Sequence, residues 1–220
     1  MTLTEEISLF LQRGSVSKVK EKVELALSQG VSPTEILEHG LVGGMTVIGD
    51  KFKENEVFVP EVLLSARAMS AGIELLRPYL ISEGTQSKGT VVIGTVRGDL
   101  HEIGKRIVKI MMEGKGLTVI DLGTDVLPET FLQKAQEYHA DVICCSSLLT
   151  TTMMEIKKVV DKRNKECLQG KIKIMIGGAP ITQAFCEKIG ADYYTEDASS
   201  AADVALKICT EKNGSVTSLG

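Results

Sequence analysis

The chain has 220 residues, of which 43% are hydrophobic and 25% charged, and its formal net charge is −4. These proportions are typical of a folded globular protein with one domain or two small ones, and they exclude disordered and fibrous classes. The acidic balance and the aromatic content of only 4% argue against a nucleic-acid-binding protein. No apolar run approaches the roughly 18 residues of a membrane span, which argues against a membrane protein.

The termini and cysteines indicate the cellular setting. We expect no secretory signal, because the first ten residues carry two acids and no basic region followed by an apolar stretch. The five cysteines form no C-x-x-C pair, so neither a disulfide framework nor a cysteine-rich zinc site is predicted. We interpret Cys144 and Cys145 as buried strand residues, since a free cysteine packs as a small hydrophobic side chain. Together these features favour a reducing, cytoplasmic setting.

Four stretches with helical periodicity occupy the first 80 residues, a pattern typical of a four-helix bundle. The first helix is expected to open behind Thr4, with acids in its first turn. The third is expected to start at Pro33, with Ser32 as its N-cap. The four predicted helices span residues 3–11, 16–29, 33 to about 48, and 60–80.

The small polar residues 81–89 predict a linker, and beyond it the pattern changes to short apolar strands that alternate with helical stretches. Five such units predict an α/β domain with a parallel, Rossmann-like sheet in the flavodoxin-like strand order 2-1-3-4-5. We therefore divide the chain into a helical cap domain, residues 1–86, and a Rossmann-like domain, residues 87–220. The predicted strands are residues 90–96, 117–122, 141–147, 171–176 and 193–195, and the helices are 103–114, 129–138, 152–167, 182–189 and 199–211.

Polar and small residues follow the first, third and fourth predicted strands, where parallel sheets of this class bind their ligands. Asp99, His101 and Gly104 follow the first strand. A histidine two residues beyond a carboxylate can be a metal ligand, because the acid fixes one ring nitrogen while the other faces the metal. The hydroxyl-rich residues 146–152 follow the third strand, and a Gly-Gly pair at 177–178 follows the fourth. Each feature alone is also compatible with an ordinary surface loop, a helix cap or a turn.

Together the three motifs, Asp-x-His-x-x-Gly, Ser-x-Leu and Gly-Gly, resemble those of cobalamin-binding domains of the methionine synthase type. In this chain 41 residues separate Gly104 from Ser146, and 28 separate Leu148 from Gly177, which matches the family spacing. The conjunction of three motifs and two spacings is far more specific than any motif alone.

The helical half carries a second resemblance. Gly44-Met45 and residues 48–60, with the sequence IGDKFKENEVFVP, resemble the helical cap that precedes this domain in methionine synthase and in small corrinoid proteins of methyl-transfer systems. The resemblance covers nearly the whole chain. It implies a free-standing corrinoid protein, such as those that serve methanol, methylamine, glycine betaine or aryl methyl ether methyltransferases.

The resemblance implies a cobalamin or related corrinoid bound with its nucleotide base away from cobalt. His101 would be the lower axial ligand of the metal, and Asp99 would accept the hydrogen bond from the far ring nitrogen. Thr152 stands where methionine synthase has the serine that completes an Asp–His–Ser relay, so these three residues are the predicted catalytic set. The remaining predicted cofactor contacts in this domain are Glu102, Ile103, Gly104, Ser146, Leu148, Thr150, Gly177, Gly178 and Ala179.

The cap is expected to cover the upper face of the cobalt. By alignment its apolar contacts would be Phe52 and Val59, for which ordinary bundle core is the alternative interpretation. His39 and His139 are interpreted as structural residues.

The resemblance implies a methyl carrier rather than a complete enzyme. A substrate-specific corrinoid methyltransferase would load the methyl group, a second methyltransferase would pass it to tetrahydrofolate or coenzyme M, and a reductive activation protein would restore the cofactor. Nucleic acid and membranes are not expected partners. The alternatives are a cobalamin-binding small subunit of a mutase, a cobalamin-sensing regulator, and a flavodoxin-like module without a corrin.

Overall fold

The computed structural model describes residues 1–83 and 87–216, which group into two compact units, one helical and one built on a sheet. The mixed α/β architecture predicted from the sequence is confirmed. None of the helices in the described part of the chain is long and apolar enough to cross a membrane.

The helical unit consists of four helical rods. The third rod is continuous, and its middle is a π-helix between two α-helical segments. Its Gly40 and Gly44 lie against α1, because a Cβ at either position would approach Ile7 or Ser8 of α1 to 3.0 Å. The segments are α1 Leu3–Gln12, α2 Val16–Ser28, α3 Pro33–Glu35, the π-helix Ile36–Val42, α4 Gly43–Lys53 and α5 Val59–Glu83.

Two helix starts test the capping predictions. Ser32 caps α3 by accepting a hydrogen bond from the Glu35 N–H at 3.1 Å, and Pro33 is the first helical residue, as predicted. The prediction that α1 opens behind Thr4 is wrong. Thr2 is the N-cap, because its hydroxyl accepts from the Glu5 N–H while the Glu5 carboxylate accepts from the Thr2 N–H. This reciprocal capping box satisfies the N–H groups of Thr2 and Glu5, which a cap at Thr4, two residues later, would leave open.

The last helix of the helical unit ends later than predicted. Helix α5 continues to Glu83, so the first three residues of the predicted linker are helical. Residues 84–86 of that linker lie outside the described residues.

The sheet unit contains five parallel strands in the order β2-β1-β3-β4-β5, which is the predicted order. Its central strands are buried on both faces, as expected for a sheet covered by helices on both sides. Cys144 and Cys145 lie in β3 with less than 6% exposure, so their interpretation as buried strand residues is confirmed. The elements are β1 Thr90–Thr95, α6 Ile103–Gly114, β2 Thr118–Asp121, α7 Pro128–Glu137, β3 Val142–Ser146, α8 Met153–Lys165, β4 Lys173–Gly177, α9 Gln183–Ile189, β5 Tyr193–Tyr194 and α10 Ala198–Val216.

Candidate functional site

The register of the sheet brings the ends of three strands together. Thr95 at the end of β1 pairs with Ser146 at the end of β3, and Ser146 pairs with Gly177 at the end of β4. The loops that follow these strands carry the three sequence motifs. Side chains that lie about 50 residues apart in sequence therefore meet at one edge of the sheet.

Asp99 is the centre of this edge. It is fully buried, and its Oδ1 accepts hydrogen bonds from Nδ1 of His101 at 2.7 Å and from the His101 backbone N–H at 3.1 Å. Its Oδ2 accepts from the backbone N–H groups of Leu148 at 2.7 Å and Leu149 at 3.3 Å, and from Oγ1 of Thr152 at 2.9 Å. Five donors thus converge on one carboxylate, from the loops after β1 and β3.

These bonds decide the ionisation of Asp99. Burial by itself raises the pKa of a carboxylic acid, because it disfavours the charged form. Hydrogen bonds from the ring and the backbone of His101, from the Leu148 N–H and from Thr152 outweigh burial and hold the pKa of Asp99 well below its usual range. The group is therefore a carboxylate under ordinary conditions and can only accept hydrogen bonds.

His101 is held in one orientation by its partners. The bond to Asp99 occupies Nδ1, while about half of the side chain remains exposed. Its backbone carbonyl accepts a hydrogen bond from the buried Thr95 hydroxyl at 2.8 Å, so both the ring and the main chain are fixed. An Nδ1–H bonded to a carboxylate leaves the lone pair on Nε2, which is the form of imidazole that binds a metal.

The donor set fits a metal that brings most of its own ligands. Among the described residues no group of three or more His, Cys, Asp or Glu side chains could hold a metal ion. One oriented imidazole would supply a single nitrogen ligand and nothing more. A cobalt ion already held by a macrocycle needs only that one nitrogen from the protein, so the residues present fit a corrinoid.

The predicted glycines differ in their surroundings. A Cβ on Gly104 would meet nothing within 4 Å, so space for a ligand remains beside the start of α6. A Cβ on Gly178 would lie 1.9 Å from the backbone oxygen of Ser147, and Gly178 has a φ of +135°. Gly178 is therefore required by the packing of the chain itself, whatever ligand it contacts. A bulky residue at position 178 would therefore disturb the fold and would not act only by blocking a ligand.

The other predicted contacts of the sheet unit lie at the surface or close to it. Ile103, the first residue of α6, is 71% exposed, and Leu148 is 42% exposed. Leu100, which the prediction omitted, is 73% exposed beside His101. Exposed apolar side chains around one oriented histidine are typical of a surface that a hydrophobic ligand covers. The remaining predicted contacts are exposed (Glu102, Thr150, Ala179) or half-buried (Ser146, Gly177).

The helical unit presents its predicted contacts differently. Phe52 lies in the last turn of α4 and Val59 begins α5, and both are half-buried. Neither belongs to the fully buried core of this unit. Phe58 beside them is 63% exposed. Their contact with a cofactor stays a prediction.

Two residues of this edge were missed by the sequence interpretation. Ser147 is fully buried and lies 2.9 Å from the Thr152 hydroxyl through its own Oγ. Asp125 follows β2, and its carboxylate accepts from the Gly98 N–H at 2.7 Å while its N–H donates to the Asp99 carbonyl at 3.0 Å. In the sequence, Ser147 is marked only as a second serine beside Ser146, and Asp125 only as an acid after the second predicted strand.

Comparison with known proteins supports the same interpretation. Residues 89–205 match a family model described as a B12 binding domain, and residues 3–77 match a second model with the same description. Trimethylamine corrinoid protein 2 of Methanosarcina acetivorans is 44% identical over 186 residues, which cover 84% of this chain and 86% of the relative. Dimethylamine corrinoid protein 1 of Methanosarcina mazei is 40% identical over 217 residues, which cover 96% of this chain and all of the relative.

A solved structure resembles both units. The crystal structure of the methanol:cobalamin methyltransferase complex MtaBC from Methanosarcina barkeri matches with a TM-score of 0.82 and 31% identity. The match covers 96% of this chain and 84% of the chain compared.

Proposed function

The chain belongs to the family of B12-binding corrinoid proteins, and we propose that it carries a methyl group on the cobalt of a bound corrinoid between two methyltransferases. Its relatives are named as corrinoid proteins for trimethylamine and dimethylamine, and the resembling crystal structure is a methanol:cobalamin methyltransferase complex. These names support a corrinoid as the cofactor and a substrate-specific methyltransferase as one partner. A second methyltransferase that acts on tetrahydrofolate or coenzyme M, and a reductive activation protein, complete the proposed system.

The observation that carries the proposal is the bond between Asp99 and His101. A bound corrinoid supplies a cobalt centre that can take up a methyl group and give it away again. His101 would hold that centre from below through Nε2, with the nucleotide base of the cofactor displaced. Asp99 keeps the proton on Nδ1, and Thr152 in turn holds Asp99. Because the ring of His101 is half-exposed while Asp99 is buried, Nε2 would be accessible to the metal of the cofactor.

The other predicted contacts have separate tasks in this proposal. The displaced base and its phosphate would occupy a slot beside Gly104, Ser146 and Leu148, with the Gly-Gly pair at 177–178 on its other side. The open space at Gly104 supports this placement. In the helical unit, Phe52 and Val59 would shield the upper face of the cobalt from water.

Cobalt ligation provides the test. Full-length protein reconstituted with hydroxocobalamin should hold one cobalt per chain, and its electron paramagnetic resonance spectrum in the cobalt(II) state should show splitting by one axial nitrogen. Labelling the histidines with ¹⁵N should change that splitting from three lines to two, since the ligand is then a histidine rather than the base of the cofactor. His101→Ala should abolish the effect of the label. His139→Asn, a change in an exposed histidine of the same unit with a φ of +50°, should not.

Either of two outcomes would overturn the proposed ligation: a splitting that does not change with the histidine label, or a cobalt content well below one ion per chain. The methyl donor is tested separately. The loaded protein is mixed with methyltransferases specific for methanol or for mono-, di- or trimethylamine, together with each substrate. Methyl transfer to the corrinoid with one of these pairs is expected, and failure with all four would place the donor outside these classes.

A further inference from the structure

A second buried hydroxyl lies behind the Asp99–Thr152 pair. Ser147 is fully buried, and its Oγ lies 2.9 Å from Oγ1 of Thr152 and 3.2 Å from the carbonyl of Leu149. Oγ1 of Thr152 lies 2.9 Å from Asp99 and 3.1 Å from the same Leu149 carbonyl. Each hydroxyl has one proton, so the acceptor that each proton takes fixes the direction of the series of hydrogen bonds.

The neighbouring acceptors settle that direction. The Leu149 carbonyl already accepts the backbone N–H groups of Thr152 at 3.1 Å and Met153 at 3.2 Å, so both of its lone pairs are engaged. The carboxylate of Asp99 is charged and is the stronger acceptor for the Thr152 proton. Ser147 then donates to Thr152, which is the shorter of its two contacts. The hydrogen bonds run in one direction, from Ser147 to Thr152 to Asp99.

The backbone of Ser147 is fixed by the glycine pair. Its N–H donates to the Gly177 carbonyl at 3.2 Å, and its own carbonyl oxygen lies only 1.9 Å from the position of a Cβ on Gly178. Gly178 can adopt its φ of +135° because it lacks a side chain. The end of β4 therefore holds Ser147, which in turn reaches the carboxylate that orients His101.

The geometry points to Ser147 as a further positioning residue for the metal-binding histidine. By donating to Thr152, it commits the Thr152 proton to Oδ2 of Asp99, and this donor draws negative charge away from Oδ1, which accepts the Nδ1 proton of His101. The Ser147 bond polarises the Thr152 hydroxyl into a stronger donor in this buried site. Ser147 thereby weakens the acceptance of the His101 proton by Asp99 and sets the balance between the two ring tautomers. The inference rests on the proposed function for its purpose, but it concerns the ring of His101 itself and is measured on the chain without corrinoid.

The experiment measures the tautomer of His101. Full-length protein with ¹⁵N-labelled histidine is studied at pH 9 by long-range ¹H–¹⁵N NMR, which distinguishes a proton on Nδ1 from one on Nε2. Ser147→Ala should raise the ratio of the Nδ1–H to the Nε2–H form by about threefold, because the carboxylate regains charge and accepts more strongly from Nδ1. Ser147→Cys, which keeps a weak donor, should raise the ratio less. Ser199→Ala, which removes another buried serine hydroxyl of the same unit, should leave it unchanged.

A double substitution tests the route. If Ser147 acts through Thr152, then Ser147→Ala should have no further effect in a Thr152→Val background, where the receiving hydroxyl is absent. An unchanged ratio in Ser147→Ala and Ser147→Cys would overturn the inference, as would an equal effect of Ser147→Ala with and without Thr152. A tautomer shift in a protein that fails to bind cobalamin would leave the inference standing and remove the proposed function instead.

Discussion

The two units hold their predicted cofactor contacts in opposite ways. In the sheet unit, a buried carboxylate, a histidine and two hydroxyls form one chain of directional bonds with distances of 2.7–2.9 Å. In the helical unit, Phe52 and Val59 are half-buried apolar side chains. Orienting a metal ligand requires fixed donors and acceptors, because a hydrogen bond weakens steeply with angle and distance. Covering a reactive face requires only apolar area, which tolerates changes of shape far better. Substitutions should therefore have larger effects in the first unit than in the second.

The largest effect is expected at Gly178. Gly178→Val should lower the free energy of unfolding by about 4 kcal/mol or abolish folding of the sheet unit, because it combines a backbone clash with a φ that valine rarely adopts. Gly104→Val is the matched control. Its side chain enters open space, so the free energy of unfolding should stay within about 0.5 kcal/mol.

Urea unfolding followed by tyrosine fluorescence reports these changes, since three of the four tyrosines (Tyr138, Tyr193 and Tyr194) lie in the sheet unit. Equal effects of the two glycine substitutions would contradict the assignment of Gly178 to chain packing.

Asp99 should give the next largest effect. Asp99→Ala leaves the His101 ring, three backbone N–H groups and the Thr152 hydroxyl without their common acceptor, and it should cost about 3 kcal/mol of unfolding free energy. Asp161→Ala removes an exposed aspartate paired with Lys157 and should cost under about 0.5 kcal/mol. A small loss in Asp99→Ala would show that the network is not a stabilising element, and the contrast between the units would fail.

The same carboxylate predicts a dependence on acid. Since the folded pKa of Asp99 lies below the ordinary value of 3.8, the unfolded chain takes up its proton first as the pH falls. The stability that Asp99 contributes is complete above that ordinary value and is lost as the pH falls from there toward the lowered folded pKa. Between pH 6 and pH 3 the unfolding free energy of the unaltered chain should therefore fall more steeply than that of Asp99→Asn. Identical slopes for the two proteins in urea titrations at each pH would refute this.

The smallest effect is expected in the helical unit. Phe52→Ala removes a half-buried ring and should lower the unfolding free energy by about 1 kcal/mol. When loaded with methylcobalamin, the Phe52→Ala protein should also lose the methyl group faster in light, because a methyl radical that no side chain covers escapes before it recombines with cobalt. Phe58→Ala, a change in a neighbouring ring that is 63% exposed, is the control. Equal photolysis rates in all three proteins would mean that Phe52 does not cover the metal.

Much of the architecture could be predicted because it depends on local patterns. Strand and helix periodicity predicted the five parallel strands and hence one sheet edge for Asp99, His101 and the hydroxyl-rich residues 146–152. The choice of Thr152 among those hydroxyls came from the family resemblance. Helix α6 was predicted at residues 103–114, the bounds that the structure gives it. The start of α1 was harder to predict, because both Thr2 and Thr4 suit an N-cap and only the reciprocal hydrogen bonds between Thr2 and Glu5 decide between them.

The sequence by itself determined the residue types that can do the chemistry, because a carboxylate two residues before a histidine is a local pattern. Only the tertiary structure decided which groups complete the network. Through Thr152, Ser147 is linked to Asp99, and Asp125 reaches Gly98; both links depend on the register of neighbouring strands and the turns that follow them. Gly178 likewise meets Ser147 across two strands, at a φ that no neighbouring residue in the sequence predicts. Contacts between residues about 30 to 50 positions apart depend on how the sheet pairs and twists, and a one-dimensional pattern carries no measure of that distance.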